Sequence, residues 1–241
     1  ERRIERVPLG VVFNMPAWNY PLLTCVNAVV PALLAGNAVV LKHSSRTALC
    51  GEHFADAFAR AGAPDDLVSA IHCDHQLAAR IARDRRVAFV AFTGSVSGGH
   101  AVYQAVASGH FADAGLELGG KDAAYVAEDA DVAATAASLV DGACYNAGQS
   151  CCAVERVYVH HALHDQLVEA CLEEMKRLVL GDPKTSVDMG PLAQPGAPHF
   201  LAAQVEQARR AGAQVLCGGA PTQVDGQGRF FAPTLLSGVS Q

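Results

Sequence analysis

Four stretches of the sequence gather residue types that can do chemistry. The first is Asn146-Ala147-Gly148-Gln149-Ser150-Cys151-Cys152, which falls between a helix-like and a strand-like run and so on a turn. A thiol on a glycine-containing turn lies close to backbone N–H groups, where it can act as a nucleophile. Free cysteine is also a small core residue, and that reading suits Cys144 and Cys171. It does not suit Cys151, because G-Q-S-C is neither a helix-interior nor a strand-interior pattern. The second stretch is Leu116-Glu117-Leu118-Gly119-Gly120-Lys121. A carboxylate among apolar residues is costly to bury unless it is paired or used. Desolvation would raise Glu117 toward a general-base range, whereas an ion pair, for instance with Lys121, is the purely structural alternative. The third is Trp18-Asn19-Tyr20-Pro21 at a helix start. Asn19 suits a helix cap there, and its amide could equally donate to a developing oxyanion.

The fourth stretch is Phe92-Thr93-Gly94-Ser95-Val96-Ser97-Gly98-Gly99, where an apolar strand runs into a helix. Open α/β sheets bind ligands at that end of a strand, and helix N-termini favour phosphate. A glycine turn between strand and helix is common, so by itself the stretch is a weak sign of a cofactor site. The stretch is not G-x-G-x-x-G, and that fingerprint occurs nowhere in the chain. Lys42 closes the strand-like run V-V-L-K, from which it could reach a nucleotide ribose or phosphate, although a lysine after a strand is ordinarily solvated.

These residues need elements to hold them. The patterning predicts strands at Gly10–Phe13, Ala38–Leu41, Leu67–Ile71 and Val87–Phe92. It predicts helices at Pro21–Ala35 (bent by Pro31 and closed by Gly36), Thr47–Ala61 (closed by Gly62), Gln76–Arg83 and about His100–Ala107. V-A-F-V-A-F is apolar on both faces, as a central parallel strand should be. The βαβ alternation reads as an α/β fold with a doubly wound parallel sheet. After Gly119-Gly120 the pattern resets: strands at Ala123–Val126, Glu155–Val159 and Gln214–Leu216, and helices at Val132–Tyr145, Leu163–Val179 and Phe200–Arg210. A boundary near Gly119 divides the chain into residues 1–119 and 120–241.

Composition narrows the function classes. Of 241 residues, 51% are hydrophobic and 17% charged, which excludes a disordered chain. The net charge of −6 and the lack of a Lys/Arg cluster argue against a nucleic-acid partner. Residues 7–41 carry no charge until the run ends at Lys42, but prolines and asparagines break it, so no membrane span is expected. The N-terminus lacks the apolar region of a signal peptide. Eight cysteines without C-x-x-C spacing read as reduced thiols in a cytoplasmic setting. The pairs His72/His75 and His160/His164 have ligand-like spacing but no completing set, so no metal is expected. The abrupt beginning and ending read as a piece of a longer protein.

Taken together, W-N-Y-P, A-G-N-A-V-V-L-K, F-T-G-S, E-L-G-G-K and G-Q-S-C occur in an order that resembles the aldehyde dehydrogenase superfamily. The resemblance runs from about Pro8 to Leu236. It implies a Rossmann-like NAD(P)-binding domain (1–119, partial) followed by part of a second α/β catalytic domain (120–241). It implies Cys151 as nucleophile, Glu117 as general base, and Asn19 with the Cys151 N–H as oxyanion donors. The aldehyde would be oxidised with NAD or NADP through a thioester that water hydrolyses to the acid. Relatives that transfer the acyl group to coenzyme A usually lack the glutamate, so Glu117 disfavours that alternative. A non-catalytic relative, the other alternative, would have lost Cys151 or Glu117. The resemblance further places Trp18, Lys42, Ser45, Gly94, Ser95, Gly99 and Leu118 at the cofactor. Tyr20, Thr24, Asn27, Ser150 and Cys152 fall near the substrate tunnel, which looks mixed-polar and suits a small polar aldehyde or semialdehyde. Strict NAD members often carry Glu where Ser45 stands; serine can donate to a 2′-phosphate that a carboxylate would repel, so NADP should be accepted. The full-length protein would be a homodimer or homotetramer. The family's later E-x-F-G-P segment does not occur in these 241 residues.

Overall fold

In the first half of the chain, short apolar runs become parallel strands and the stretches between them become helices. The computed structural model describes residues 2–239 and divides into two compact units, Glu1–Gly119 and Gly120–Gln241. The first holds β1 (Val11–Met15), α1 (Pro21–Leu34), β2 (Ala38–Leu41), α2 (Ala48–Arg60), β3 (Val68–Ala70), α3 (His75–Ala82), β4 (Val87–Thr93), α4 (Val96–Ala107) and β5 (Asp113–Glu117). The five strands form one all-parallel sheet in the order β3-β2-β1-β4-β5. Alternation sends Val12, Val39 and Leu41 to one face, where they pack with Cys25 and Val29 of α1 and against Phe54 and Phe58 of α2. Phe13, Met15 and Val90 go to the other, against Ala78 and Ala82 of α3 and Ala105 and Val106 of α4. Phe13, Val29, Leu41 and Val90 are fully buried; each contributes roughly 1.5–3 kcal/mol by leaving water. Helices on both faces make the sheet doubly wound, as the βαβ alternation predicts.

Buried polar groups fix the connections. The Asn37 side chain accepts from the N–H groups of Leu9 (2.7 Å) and Gly10 (2.9 Å) and donates to the Ala32 carbonyl (3.0 Å). One asparagine thus ties the entry of β1 to the exit of α1. Gly36 and Gly62 follow α1 and α2 with φ near +82°, the left-handed geometry that lets a helix stop.

Several boundaries differ from the sequence reading. α1 starts at Pro21 with Tyr20 at the cap position, so Asn19 lies one residue outside it and is not the cap. Pro31 stands within α1, which continues to Leu34. α2 begins at Ala48, after a 3-10 turn over Ser45–Thr47. α4 begins at Val96 rather than His100, because the Ser95 hydroxyl caps it by accepting from the Gly98 N–H (3.1 Å); Gly98 and Gly99 lie inside the helix. β5 has no counterpart in the sequence reading. D-A-G-L-E carries two acids and a glycine, which depress β-propensity, and only its place beside β4 makes it a strand.

The second unit has β6 (Asp122–Val126), α5 (Val132–Cys144), β7 (Val154–Val159), α6 (His164–Arg177), α7 (Ala197–Arg210), β8 (Gln214–Cys217), β9 (Pro221–Val224), β10 (Gln227–Phe231) and β11 (Leu235–Ser237). β6 and β7 pair in parallel with α5 as the crossover. Val126, Leu139, Val140, Cys144, Leu167, Cys171 and Met175 form its core. β9 and β10 make a hairpin at Asp225-Gly226, both at positive φ (50° and 72°), as a tight two-residue turn requires. α7 begins at Ala197, earlier than expected, because Pro198 is tolerated in a first helical turn.

Candidate active site

Parallel pairing brings the carboxyl ends of the first unit's strands to one edge. Trp18 and Asn19 follow β1, Lys42 and Ser45 follow β2, the Gly94–Gly99 stretch follows β4, and Glu117 and Leu118 close β5. β1 and β4 are neighbours at which the connections turn in opposite directions, the position where open α/β sheets leave a crevice. The Lys42 N–H donates to the Asn14 carbonyl (2.9 Å), fixing the lysine at the sheet edge, and Ser45 is exposed. Ser95 is exposed at the N-terminus of the twelve-residue α4, its hydroxyl shared between the Gly98 N–H and Ser97 (3.2 Å).

Glycines let this edge close up. A Cβ on Gly99 would sit 2.6 Å from Leu118 Cδ2, so α4 approaches the end of β5 because residue 99 has no side chain. A Cβ on Gly94 or Gly98 would meet the Phe92 ring at 2.6 or 2.7 Å, so that ring lies against the loop. The Gly94 N–H donates to the Glu117 carbonyl (2.9 Å), which fixes the backbone that carries the carboxylate.

Two expectations are corrected here. Glu117 is exposed, because β5 alternates outward and inward and residue 117 takes an outward position. The burial expected of this carboxylate is therefore not found within this chain. Lys121 bonds Glu155 rather than serving as a partner for Glu117, and the Lys121 carbonyl accepts both Nε (3.1 Å) and Nη2 (2.9 Å) of Arg156. The Thr24 hydroxyl accepts from the Ala17 N–H (3.2 Å) and donates to the Tyr20 carbonyl (2.9 Å). Asn27 is exposed on α1, and the enclosed Tyr20 hydroxyl has no hydrogen-bond partner.

The cysteine turn belongs to the second unit. α5 ends at Cys144, and Asn146, Ala147 and Gly148 then run consecutively through left-handed geometry, with φ of 51°, 55° and 72°. For an alanine this conformation costs roughly 1–2 kcal/mol. Gln149 holds the turn. Its N–H (3.1 Å) and its Nε2 (3.0 Å) both donate to the Asn146 carbonyl, and its Oε1 accepts from the Ala193 N–H (2.8 Å). Asn146 Nδ2 returns a bond to the Gln149 carbonyl (3.2 Å). Below the turn, a Cβ on Gly120 would lie 2.0 Å from the Cys151 carbonyl oxygen, so backbone meets backbone there.

Cys151 and Cys152 are both exposed, whereas Cys25, Cys144 and Cys171 are buried. Burial pushes Cys25 up to about 12 and Cys144 up to about 11, and leaves both inert. The exposed pair divides. Partial enclosure of its sulfur, then the neighbouring Cys152, hold the Cys151 thiol above its ordinary value. Cys152 lies below it, because the Ser150 hydroxyl (3.4 Å) and the Tyr145 hydroxyl (3.3 Å) stabilise its thiolate. Those hydroxyls bond each other at 2.5 Å, and Ser150 is buried. Cys151 is an exposed thiol beside its own backbone N–H and the Cys152 sulfur, an arrangement equipped for nucleophilic addition.

The sequence reading passed over two residues of this turn. Gln149 entered it only as a motif letter and Gly120 only as a neighbour of the carboxylate; their roles come from contacts made with residues 44 and 31 positions away. Three of the four histidines with ligand-like spacing have ordinary partners: His72 with Glu52 (2.6 Å), His160 with Glu128 (3.7 Å) and His164 with Asp165 (2.8 Å). Among the described residues no cluster of three or more His, Cys, Asp or Glu is gathered for a metal. No helix among them is long and apolar enough to cross a membrane.

Known proteins are similar to this chain over nearly its whole length. The chain is 38% identical over 235 residues to a succinate-semialdehyde dehydrogenase [NADP(+)] 1 of Mycobacterium bovis, covering 97% of this chain and 51% of that protein. A succinate-semialdehyde dehydrogenase [NADP(+)] of Mycobacterium leprae is likewise 38% identical, over 97% and 51% of the two chains. The structure superposes on a 3,6-anhydro-L-galactose dehydrogenase in complex with NAP at a TM-score of 0.92, with 33% identity over 97% of this chain and 50% of that one. For a lactaldehyde dehydrogenase from Escherichia coli the TM-score is 0.90, with 34% identity over 97% and 49%. The chain thus spans about half the length of these relatives. The model of the aldehyde dehydrogenase family matches residues 1–241, and this chain belongs to that family.

Proposed function

We propose that the protein carrying this chain oxidises an aldehyde to a carboxylic acid with NAD(P)+. The observation that carries this reading is the exposed Cys151 on a braced, left-handed turn, in a chain that belongs to this family. The Cys151 thiolate adds to the aldehyde carbon and forms a thiohemiacetal. The Asn19 side-chain amide and the Cys151 N–H hold the oxygen as its charge develops. Oxidation leaves a thioester on Cys151. Glu117 then takes a proton from water, which attacks the thioester and releases the acid and the free thiol.

The carboxyl edge of the first unit fits a dinucleotide. The N-terminus of α4 lies at this edge and offers its N–H groups toward phosphate. Lys42 and Ser45 would hold the adenosine ribose, Ser95 the pyrophosphate, and Trp18 and the Leu118 carbonyl the nicotinamide end. Bound there, the nicotinamide supplies the two-electron acceptor. Exposed Ser45 places no carboxylate against a 2′-phosphate, and the mycobacterial relatives are named for NADP(+). We therefore assign NADP acceptance, and a small polar aldehyde or semialdehyde as substrate, with Tyr20, Thr24, Asn27, Ser150 and Cys152 near it. A reducing, cytoplasmic compartment suits the eight free cysteines, and the whole protein would be a homodimer or homotetramer.

The test is formation of reduced cofactor by the purified protein with a panel of small aldehydes, using NAD and NADP separately, with Cys151→Ala as control. Turnover that survives in Cys151→Ala would overturn the mechanism. A clear preference for NAD would overturn the reading of Ser45.

A further inference from the structure

The nucleophile turn stores strain and is pinned at two points, and the pin made by Gln149 has a job beyond folding. Both ends of its carboxamide are used. Nε2 joins its own backbone N–H on the Asn146 carbonyl, closing the left-handed turn upon itself. Oε1 accepts from the Ala193 N–H at 2.8 Å, reaching across 44 residues of sequence. The segment it reaches is anchored independently. Leu192 is buried and its N–H donates to the Arg229 carbonyl of β10 (2.7 Å), while Arg229 Nη1 approaches the Ala193 carbonyl (3.4 Å). The cysteine turn is thereby referred to a fixed frame rather than to its own loop. Its second point of fixation is Gly120, whose backbone touches the Cys151 carbonyl.

A planar carboxamide with one donor and one acceptor engaged fixes orientation as well as distance. Residue 149 is two positions before Cys151, so any rotation of its backbone turns the peptide that carries the Cys151 N–H and swings the thiol. We infer that Gln149 is a positioning residue for Cys151: it sets the direction of the nucleophilic sulfur and of the adjoining N–H by locking the turn to Ala193. This rests on the reading of Cys151 as the nucleophile. The neighbouring thiol should be less affected, because Cys152 is oriented by its own bonds to Ser150 and Tyr145.

The experiment compares Gln149→Met, which keeps the bulk and loses both bonds, with Gln149→Glu, which keeps the acceptor for Ala193 and loses the donor to Asn146. Two readouts are taken. One is the iodoacetamide alkylation rate of Cys151 relative to Cys152 across pH, resolved by peptide fragmentation. The other is turnover, separated into kcat and KM. For Gln149→Met the alkylation ratio should change at least about threefold, and kcat should fall by about tenfold or more with aldehyde KM nearly unchanged, the signature of a lost geometric contribution to the transition state. Gln149→Glu should fall between that variant and the parent. An unchanged ratio and unchanged kcat in a variant with a lowered melting temperature would overturn the inference and leave Gln149 a fold residue. The two readings separate cleanly: a ratio that shifts from the parent to Gln149→Met, with a parent that turns over no aldehyde, supports the positioning role while defeating the proposed activity. Should Gln149→Met fail to fold, Gln149→Glu carries the same comparison.

Discussion

Replacing Gly120 by alanine should be far more damaging than the same change at Gly119, although the two glycines are adjacent. Neither has a left-handed φ, so backbone freedom is not the reason. Space is. A Cβ at residue 119 meets nothing within 4 Å, whereas at residue 120 it would lie 2.0 Å from the Cys151 carbonyl oxygen and 3.2 Å from its carbon. Ordinary contact begins near 3.4 Å, so the two backbones must separate by 3.4 − 2.0 = 1.4 Å. The atom in the way is main chain and cannot rotate aside. The Gly120 side is itself held, since the Lys121 carbonyl is bonded twice by Arg156. The displacement therefore falls mainly on the cysteine turn. A misplacement of about 1 Å in a reacting group can cost on the order of a hundredfold in rate, and overpacking of this kind costs about 1–3 kcal/mol of stability. Gly120→Ala should lose roughly a hundredfold in kcat/KM, and the Cys151 alkylation rate should change with it. Gly119→Ala should stay within a few-fold of the parent. The assay is turnover together with peptide-resolved alkylation of both proteins. Equal rates for the two variants, with Gly120→Ala folded, would refute the contact as described.

Further outcomes follow from the same geometry. Tyr145→Phe removes one donor to the Cys152 sulfur, so the pH at which Cys152 begins to react with iodoacetamide should rise, as read by peptide mapping; in the parent, Cys152 should alkylate at lower pH than Cys151. Ala147→Gly relieves a left-handed alanine and should stabilise the protein by about 1 kcal/mol, seen as a higher urea midpoint at unchanged slope. His43 is buried, donates from Nε2 to the Pro21 carbonyl (3.2 Å), and leaves Nδ1 without a partner. Burial holds its pKa below the ordinary value, helped by nearby His72 and opposed by the Pro21 bond. The folded state therefore binds fewer protons than the unfolded chain between that lowered value and about 6.5. Its contribution is present above about pH 6.5 and is lost as pH falls toward the folded value. In His43→Gln, denaturant unfolding should show a weaker loss of stability on acidification than in the parent.

Much of the first unit was legible because its central strands bury both faces. V-V-F-N-M, A-V-V-L and V-A-F-V-A-F can scarcely be anything but interior strands. The cysteine turn was legible too, since Gly148 and its polar neighbours break both helical and strand periods. β5 was not, because an edge strand exposes alternate residues and D-A-G-L-E needs β4 to define it. The environment of Glu117 was misjudged for the same reason: flanking leucines imply burial only until the direction of the side chain is known. Asn19 was placed one residue too far into its helix, since Pro21 at the first turn leaves Tyr20 as the boundary. Gln149 and Gly120 act through contacts distant in sequence, which local pattern does not record.

The Phe92 ring and the glycines beside it carry a consequence for how this loop can vary. The ring fills the volume that a methyl group at residue 94 or 98 would need. The three positions are one steric variable rather than three. Gly94→Ala or Gly98→Ala alone should be rejected, and Phe92→Ala alone should leave a void beside the helix start. Combined, the ring-deleting change and an added methyl would compensate each other. A library randomised at all three sites should therefore return correlated survivors, with bulk at residue 92 trading against side chains at residues 94 and 98.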